Sequence, residues 1–161
     1  MAIARKVPQV RPARPLLTLA DGLAQLSFAV QSAIGRVADL HDLSLVQIRL
    51  LGILRDREPA MLAVATVMNL DKSSVTGLVD RAERRGLVRR TTTPEDGRAV
   101  RVGLTARGRG LAQKLTKQVD RELGRLVEGL PGVHRRALLT IASQIVADDA
   151  RRRFPDVARR P

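Results

Sequence analysis

NLDKSSVTGLVDRAERRGLVRRTTTPEDGRAVRVGLT, residues 69–105, changes its hydrophobic period part-way along. In the first half Val75, Leu78, Val79 and Ala82 recur at steps of three and four, the spacing that lines one face of a helix. Asp71 is placed to cap this helix, predicted over 72–85, and Gly86 to stop it. After Gly86 the steps of three and four give way to alternation. Leu87–Thr91 reads as a short strand, and Thr93-Pro94-Glu95-Asp96-Gly97 is turn chemistry. Ala99–Leu104 then alternates Val100, Val102 and Leu104 inward against Arg101 and Gly103 outward. A helix followed by a β-hairpin is predicted, with Arg98 near the hairpin tip.

Upstream, MLAVATVM (61–68) forms a short apolar helix with Val64, Ala65 and Met68 on one face, and Asn69 tolerates the left-handed conformation that ends it. Two helices joined by a tight turn, the second starting polar, make the helix-turn-helix outline. Met61 and Leu62 are apolar where a polar cap would serve this first helix; core packing is the expected use for them, the alternatives being a less rigid motif or the wall of a pocket. Before it, Ser44 and Gln47 have the spacing of a capping box, and Leu43 and Ile48 that of a hydrophobic staple. Val46, Leu50, Leu51 and Leu54 give that helix its apolar face, and Pro59 is expected to end the segment.

Long helices flank this unit. Leu16, Leu19, Leu23, Leu26, Val30, Ile34, Val37 and Leu40 line one face of the first, a packing surface for other helices. Downstream, Thr105 caps a helix carrying Leu111, Leu115, Val119, Leu123, Leu126 and Leu130. Pro131-Gly132 breaks it, and a last helix carries Leu138, Ile141, Ile145 and Val146. The chain therefore divides into a basic flexible arm (1–15), a first long helix (16–42), a winged helix-turn-helix domain (43–105), two further helices (106–153) and a basic tail (154–161); the resemblance given below implies that the flanking helices are dimerisation helices. The fold class is mainly α with a small β-hairpin.

With 29 Lys+Arg against 16 Asp+Glu the net charge is +13, which points to a polyanionic partner. The excess is clustered: residues 1–15, 71–107 and 151–161 each carry +4. There is no Cys, so disulfides and thiolate metal sites are excluded, and His41 and His134 stand far apart for a metal site. No nucleophile–base pair, carboxylate pair or phosphate loop is visible, so no enzymatic activity and no cofactor are expected. Nothing resembles a secretion signal or a membrane span, and a soluble cytoplasmic protein is expected.

LVQIRLLGILRDREP (45–59), NLDKSSVTGLVDRAERRGLVRR (69–90) and TPEDGRAVRVGLTARGRGL (93–111) together resemble the MarR family of winged helix-turn-helix regulators. The resemblance covers residues 43–110, under half the chain, and its middle stretch and wing motif are specific in combination. It implies a homodimer interlocked through the first and last two helices, a double-stranded inverted-repeat operator, repression of transcription, and release by a small-molecule effector.

On helix 72–85, Lys72, Ser73, Ser74, Thr76, Gly77, Arg81 and Arg84 form the polar face, suited to a major groove. Gly77 costs about 1 kcal/mol of helix propensity relative to Ala. Some similar proteins carry a longer base-reading side chain there, so weaker discrimination at that base pair is expected; the alternative is that Gly avoids a clash. Arg98 is expected in the minor groove, with Asp96 orienting it. Arg89, Arg90 and Arg101 are expected on phosphates. The basic arm, Arg14 included, either adds to these contacts or stands idle. An effector site, as the resemblance implies, would draw on Phe28, Ile34, Arg36, His41 and Leu54. Two alternatives remain open at this point: a nonspecific architectural DNA-binding protein, and a regulator without ligand response.

Overall fold

The computed structural model describes residues 17–92 and 100–153. The predicted arm and tail lie outside the described residues, as do Asp96 and Arg98. The described elements are α1 (Leu19–Asp39), α2 (Leu45–Ile53), α3 (Met61–Met68), α4 (Lys72–Arg84), β1 (Val88–Thr92), β2 (Val100–Leu104), α5 (Ala106–Leu126) and α6 (Gly132–Arg153). No helix among the described residues is long and apolar enough to cross a membrane.

Side-chain caps explain most of the helix starts. The Thr18 hydroxyl accepts from the Asp21 amide at 3.1 Å. Ser44 and Gln47 form the reciprocal capping box, at 3.2 Å and 2.9 Å. Thr105 accepts from the Gly108 amide at 3.0 Å. Asn69 takes the left-handed conformation (φ 54°, ψ 48°) that turns the chain from α3 into α4. Gly86, at φ +66°, ends α4 in a Schellman motif: the Leu87 amide donates to the Ala82 carbonyl and the Gly86 amide to that of Glu83.

Three boundaries differ from expectation. Helix α2 stops at Ile53, well before Pro59, because Arg55 donates back to Gly52 in a tightened last turn and the Arg57 guanidinium takes the Ile53 carbonyl. Strand β1 begins at Val88, since the backbone amide and carbonyl of Leu87 are committed to Ala82 and Thr105. Helix α5 ends at Leu126, short of Pro131, and a turn through Val127–Leu130 follows it.

The hairpin is antiparallel, with Val88 opposite Leu104 and Thr92 opposite Val100. Gly103 does not face solvent as expected. Glu58 crosses it, and a Cβ there would lie 2.5 Å from the Glu58 carboxyl carbon. Helix α3 has no side-chain cap at Ala60. Its entry is held by the hairpin instead, through a bridge from Ala60 to Arg101 and a 2.9 Å bond from the Val102 amide to the Pro59 carbonyl.

One apolar core binds these elements. Leu50, Leu51, Val64, Val75, Val79, Val88 and Val102 are its largest enclosed side chains, and Val37 of α1 joins them. Ala112 and Leu115 of α5 pack on the same cluster, so the core runs across the boundaries predicted at residues 42 and 105. Met61 packs against it as expected, whereas Leu62 is 76 % exposed. Helix α6 stands apart: through Arg152 each of its residues is exposed except the half-buried Leu138.

The tightest approach is at Gly108, where an added Cβ would lie 1.9 Å from the Leu87 carbonyl oxygen. Gly108→Ala should therefore destabilise the protein by about 1–3 kcal/mol or more through overpacking. Gly110→Ala, facing open space in the same helix, should not. Thermal melts of the two variants check this; equal melting temperatures would contradict it.

Candidate nucleic-acid interface

Helix α4 is amphipathic because its sequence places Val75, Leu78, Val79 and Ala82 on the inner face, where all four are buried. The helical period then turns Lys72, Ser73, Ser74, Thr76, Arg81 and Arg84 outward, and each of these is exposed; Gly77 is half-buried among them.

Polar groups at the helix start are ordered before any partner arrives. Asp71 accepts from the Ser73 hydroxyl at 2.5 Å, from the Ser74 hydroxyl at 2.6 Å and from the Ser74 amide at 2.8 Å. The two serine hydroxyls, followed by the amide, hold the Asp71 carboxyl well below the usual carboxylate range. With their protons committed to Asp71, both hydroxyls offer lone pairs outward. Thr76 likewise commits its proton, to the Lys72 carbonyl at 2.8 Å.

The cations around α4 fall into two groups. The side chains of Lys72, Arg81 and Arg84 make no hydrogen bond or ion pair among the described residues. The described arginines of the hairpin, Arg89 and Arg90 among them, are engaged within the protomer. Arg89 donates to the Glu58 carboxylate at 2.7 Å and to the Leu104 carbonyl at 2.9 Å. Arg90 spans two acids of α4, Asp80 at 2.5 Å and Glu83. Partial burial works against its charge, but the bond to Asp80 and the charges of Glu83 and Asp80 outweigh that and raise its pKa. Arg101 donates to the Glu58 carbonyl at 3.2 Å.

Asp80, Glu83 and Glu58 thus carry a role that the sequence expectations missed. The spacing of Asp80 and Glu83 puts both acids on one side of α4 and was a readable signal. Their partner Arg90 is unexpected because the strand had first to fold back along the helix. The result pins the root of the hairpin beside α4 and neutralises two carboxylates that a polyanion would otherwise meet.

Two concavities border the helix. A hollow of about 420 Å³ lies between the start of α2 and α4, with Ser44, Val46, Gly77 and Arg81 among its walls. A groove of about 1250 Å³ runs between α3, α4 and the hairpin, past Met61, Thr76, Asp80, Arg90 and Val100. Neither contains the residues expected around an effector. Leu54 is 2 % exposed in the core, while Phe28 is 64 % exposed. Ile34 is half-buried on α1. Arg36 pairs with Glu122 at 3.2 Å and the His41 ring bonds Gln118 at 2.6 Å, so these two side chains join α1 and its C-terminal turn to α5. No group of described His, Asp or Glu residues is arranged to hold a metal.

Residues 41–99 match the model of the MarR family. That stretch takes in α2, α3, α4 and β1, so the resemblance to the family lies in the winged helix. A MarR-family transcriptional regulator from Rhodococcus sp. RHA1 is 28 % identical, with a TM-score of 0.69 over 85 % of this chain and 94 % of its own. CouR from Rhodococcus jostii RHA1, solved bound to p-coumaroyl-CoA, is 27 % identical, with a TM-score of 0.68 over 86 % of this chain and 94 % of its own. Apo MarR from E. coli, 19 % identical, shares the fold at a TM-score of 0.71 over 81 % and 98 % of the two chains. Comparison with curated proteins gave no match. In this unit α3 and α4 are the helix-turn-helix and β1–β2 is the root of the wing.

Two outcomes follow. Because the pKa of Asp71 is depressed by folding, its contribution to stability is complete above its ordinary value of 3.8 and is lost as pH falls below that. Urea midpoints should therefore drop less between pH 6 and pH 3 in Asp71→Ala than in the wild type; equal drops would count against the cap. Arg90→Ala should weaken duplex DNA binding without changing the slope of log K against log salt. A slope smaller by about 0.9 would instead mark a phosphate contact.

Proposed function

We propose that the protein is a homodimeric, sequence-specific DNA-binding regulator, a repressor of MarR type that a small-molecule effector releases from an inverted-repeat operator. The observation that carries this is the state of α4. Its inner face is seated in the core, while the side chains of Lys72, Arg81 and Arg84 stand outward without partners among the described residues, beside a hairpin pinned by Arg90. A rigid helix with free cations at its surface suits the major groove, and the wing beside it suits the neighbouring minor groove. In this proposal Ser73, Ser74, Thr76 and Gly77 face base edges, Arg98 enters the minor groove with Asp96 orienting it, and Arg101 lies near the backbone.

Dimerisation is supported by apolar surface at both ends of the chain. Leu19, Leu23, Leu26 and Phe28 on α1 and Val133, Leu139, Ile141, Ile145 and Val146 on α6 are all exposed in the single protomer. A 22-residue helix with such a surface and almost no intrachain support calls for a partner. A second copy of the chain supplies it. The effector reading is supported by CouR, whose structure holds p-coumaroyl-CoA. In this chain the joint of α1 with α5, where Arg36 and His41 are held by exchangeable polar bonds, is the proposed place.

Footprinting on DNA upstream of the protein's own gene tests the proposal. One protected inverted repeat, with half-sites about one helical turn apart, is expected. Equal coating of competitor DNA would favour an architectural protein instead. Leu23→Asp should shift the sedimentation profile toward the monomer and lower operator affinity at least tenfold; an unchanged profile would remove the proposed interface.

A further inference from the structure

Gly77 occupies the middle of the outward line of α4. At 100° per residue, Ser73, Gly77, Asp80 and Arg84 succeed one another along the side opposite the buried Val75, Leu78, Val79 and Ala82. A glycine in mid-helix sacrifices propensity, so the position calls for a reason. Crowding against the fold is not that reason. A Cβ at Gly77 would meet a single group, the Nη1 atom of Arg81, at 3.4 Å, an ordinary contact.

That contact shows where Arg81 lies. Long side chains on a helix point back toward its N-terminus and cover the turn before their own Cα. The guanidinium of Arg81 accordingly rests over Gly77, one turn back, at the wall of the hollow between α2 and α4. It is exposed and makes no bond among the described residues. Arg84, the next free cation, differs in two respects. It is the final residue of the helix, three places beyond Arg81 in the same last turn, and the turn N-terminal to it holds Asp80, whose carboxylate Arg90 has already taken. A helix entering the major groove presents its N-terminal residues to base edges, whereas its C-terminal end lies nearer the backbone.

We propose that Arg81, folded back over the gap left by Gly77, reads one guanine in each half-site through its O6 and N7 atoms, and that Arg84 contacts phosphate. This rests on the proposal that α4 enters the major groove. The fork of a guanidinium matches the two acceptors of guanine, and a bidentate pair of that kind discriminates by roughly tenfold to a hundredfold. Gly77 then does more than leave a base pair unread. It makes room for the side chain of residue 81 to lie within reach of the base that a long residue at 77 would cover.

The test uses the full chain and a pool of random duplexes. The enriched motif is rebuilt with each of the four base pairs at every position, and affinities are measured by fluorescence anisotropy at several salt concentrations. The wild type is expected to prefer guanine by about tenfold or more at one position per half-site. Arg81→Ala should bring the four bases at that position within about threefold while preferences elsewhere persist. Arg84→Ala should weaken all sequences alike and reduce the salt slope by about 0.9. Gly77→Leu fills the gap and should also depress the guanine preference, whereas Gly77→Ala should keep it. Both arginines are exposed, so unchanged thermal melts verify folding.

If Arg81→Ala weakens every sequence equally with a reduced salt slope, Arg81 is a phosphate contact and the proposal is overturned. Full guanine preference in Gly77→Leu would overturn the role of the gap. A wild type that enriches no motif would overturn the sequence-specific function itself, a result distinguishable from the other two.

Discussion

The carbonyl of Leu87 accepts the Thr105 amide at 3.1 Å, lies 3.3 Å from the Thr105 hydroxyl, and stands so close to Gly108 that no side chain fits there. The Leu87 amide meanwhile closes the end of α4, and its side chain is 2 % exposed in the core. Four elements are thereby referenced to one peptide: the exit of α4, the start of β1, the end of β2 and the first turn of α5. Hydrogen bonds of this kind contribute only about 1 kcal/mol each in net terms. Their weight here is geometric, because the lean of the hairpin on α4 and the departure angle of α5 are set at the same place.

Charge placement works within that frame. The chain carries a large positive excess, yet near α4 much of it is neutralised locally. Arg89 and Glu58, and Arg90 with Asp80 and Glu83, form ion pairs on the sides of the hairpin. Partly exposed pairs such as these add little stability, at most about 1 kcal/mol each. Their effect is to separate structural cations from available ones. Net charge alone overstates how many arginines face a partner; on α4 the cations whose side chains have no partner among the described residues are Lys72, Arg81 and Arg84.

Much of the fold was legible in the sequence because its signals are local. The Ser44–Gln47 box, the left-handed Asn69, the Asp71 cap and the Gly86 stop depend on residues within a turn of one another, and each behaves as its chemistry dictates. What was not legible is the product of distant approach. Gly103 is buried because Glu58 folds across it, and Leu54 is enclosed in a core to which Ala112 and Leu115 of the distant α5 also belong. The helix face of the candidate site could be read from period alone, but the division of its cations required knowing where acids 58, 80 and 83 come to rest. Asp96 and Arg98 lie outside the described residues.

The entry to α3 rests on main-chain bonds. With no side chain capping Ala60, that helix is anchored through backbone bonds from Pro59 and Ala60 to β2. The strand therefore serves two neighbours at once, the other strand of the hairpin along one edge and the leading segment of the helix-turn-helix along the opposite edge. A tilt of the hairpin must drag α3 with it, as a hinge plate carries the door to which it is screwed. Any distortion imposed at the outer strands is transmitted mechanically to the turn on which α4 is mounted, without passing through side-chain packing.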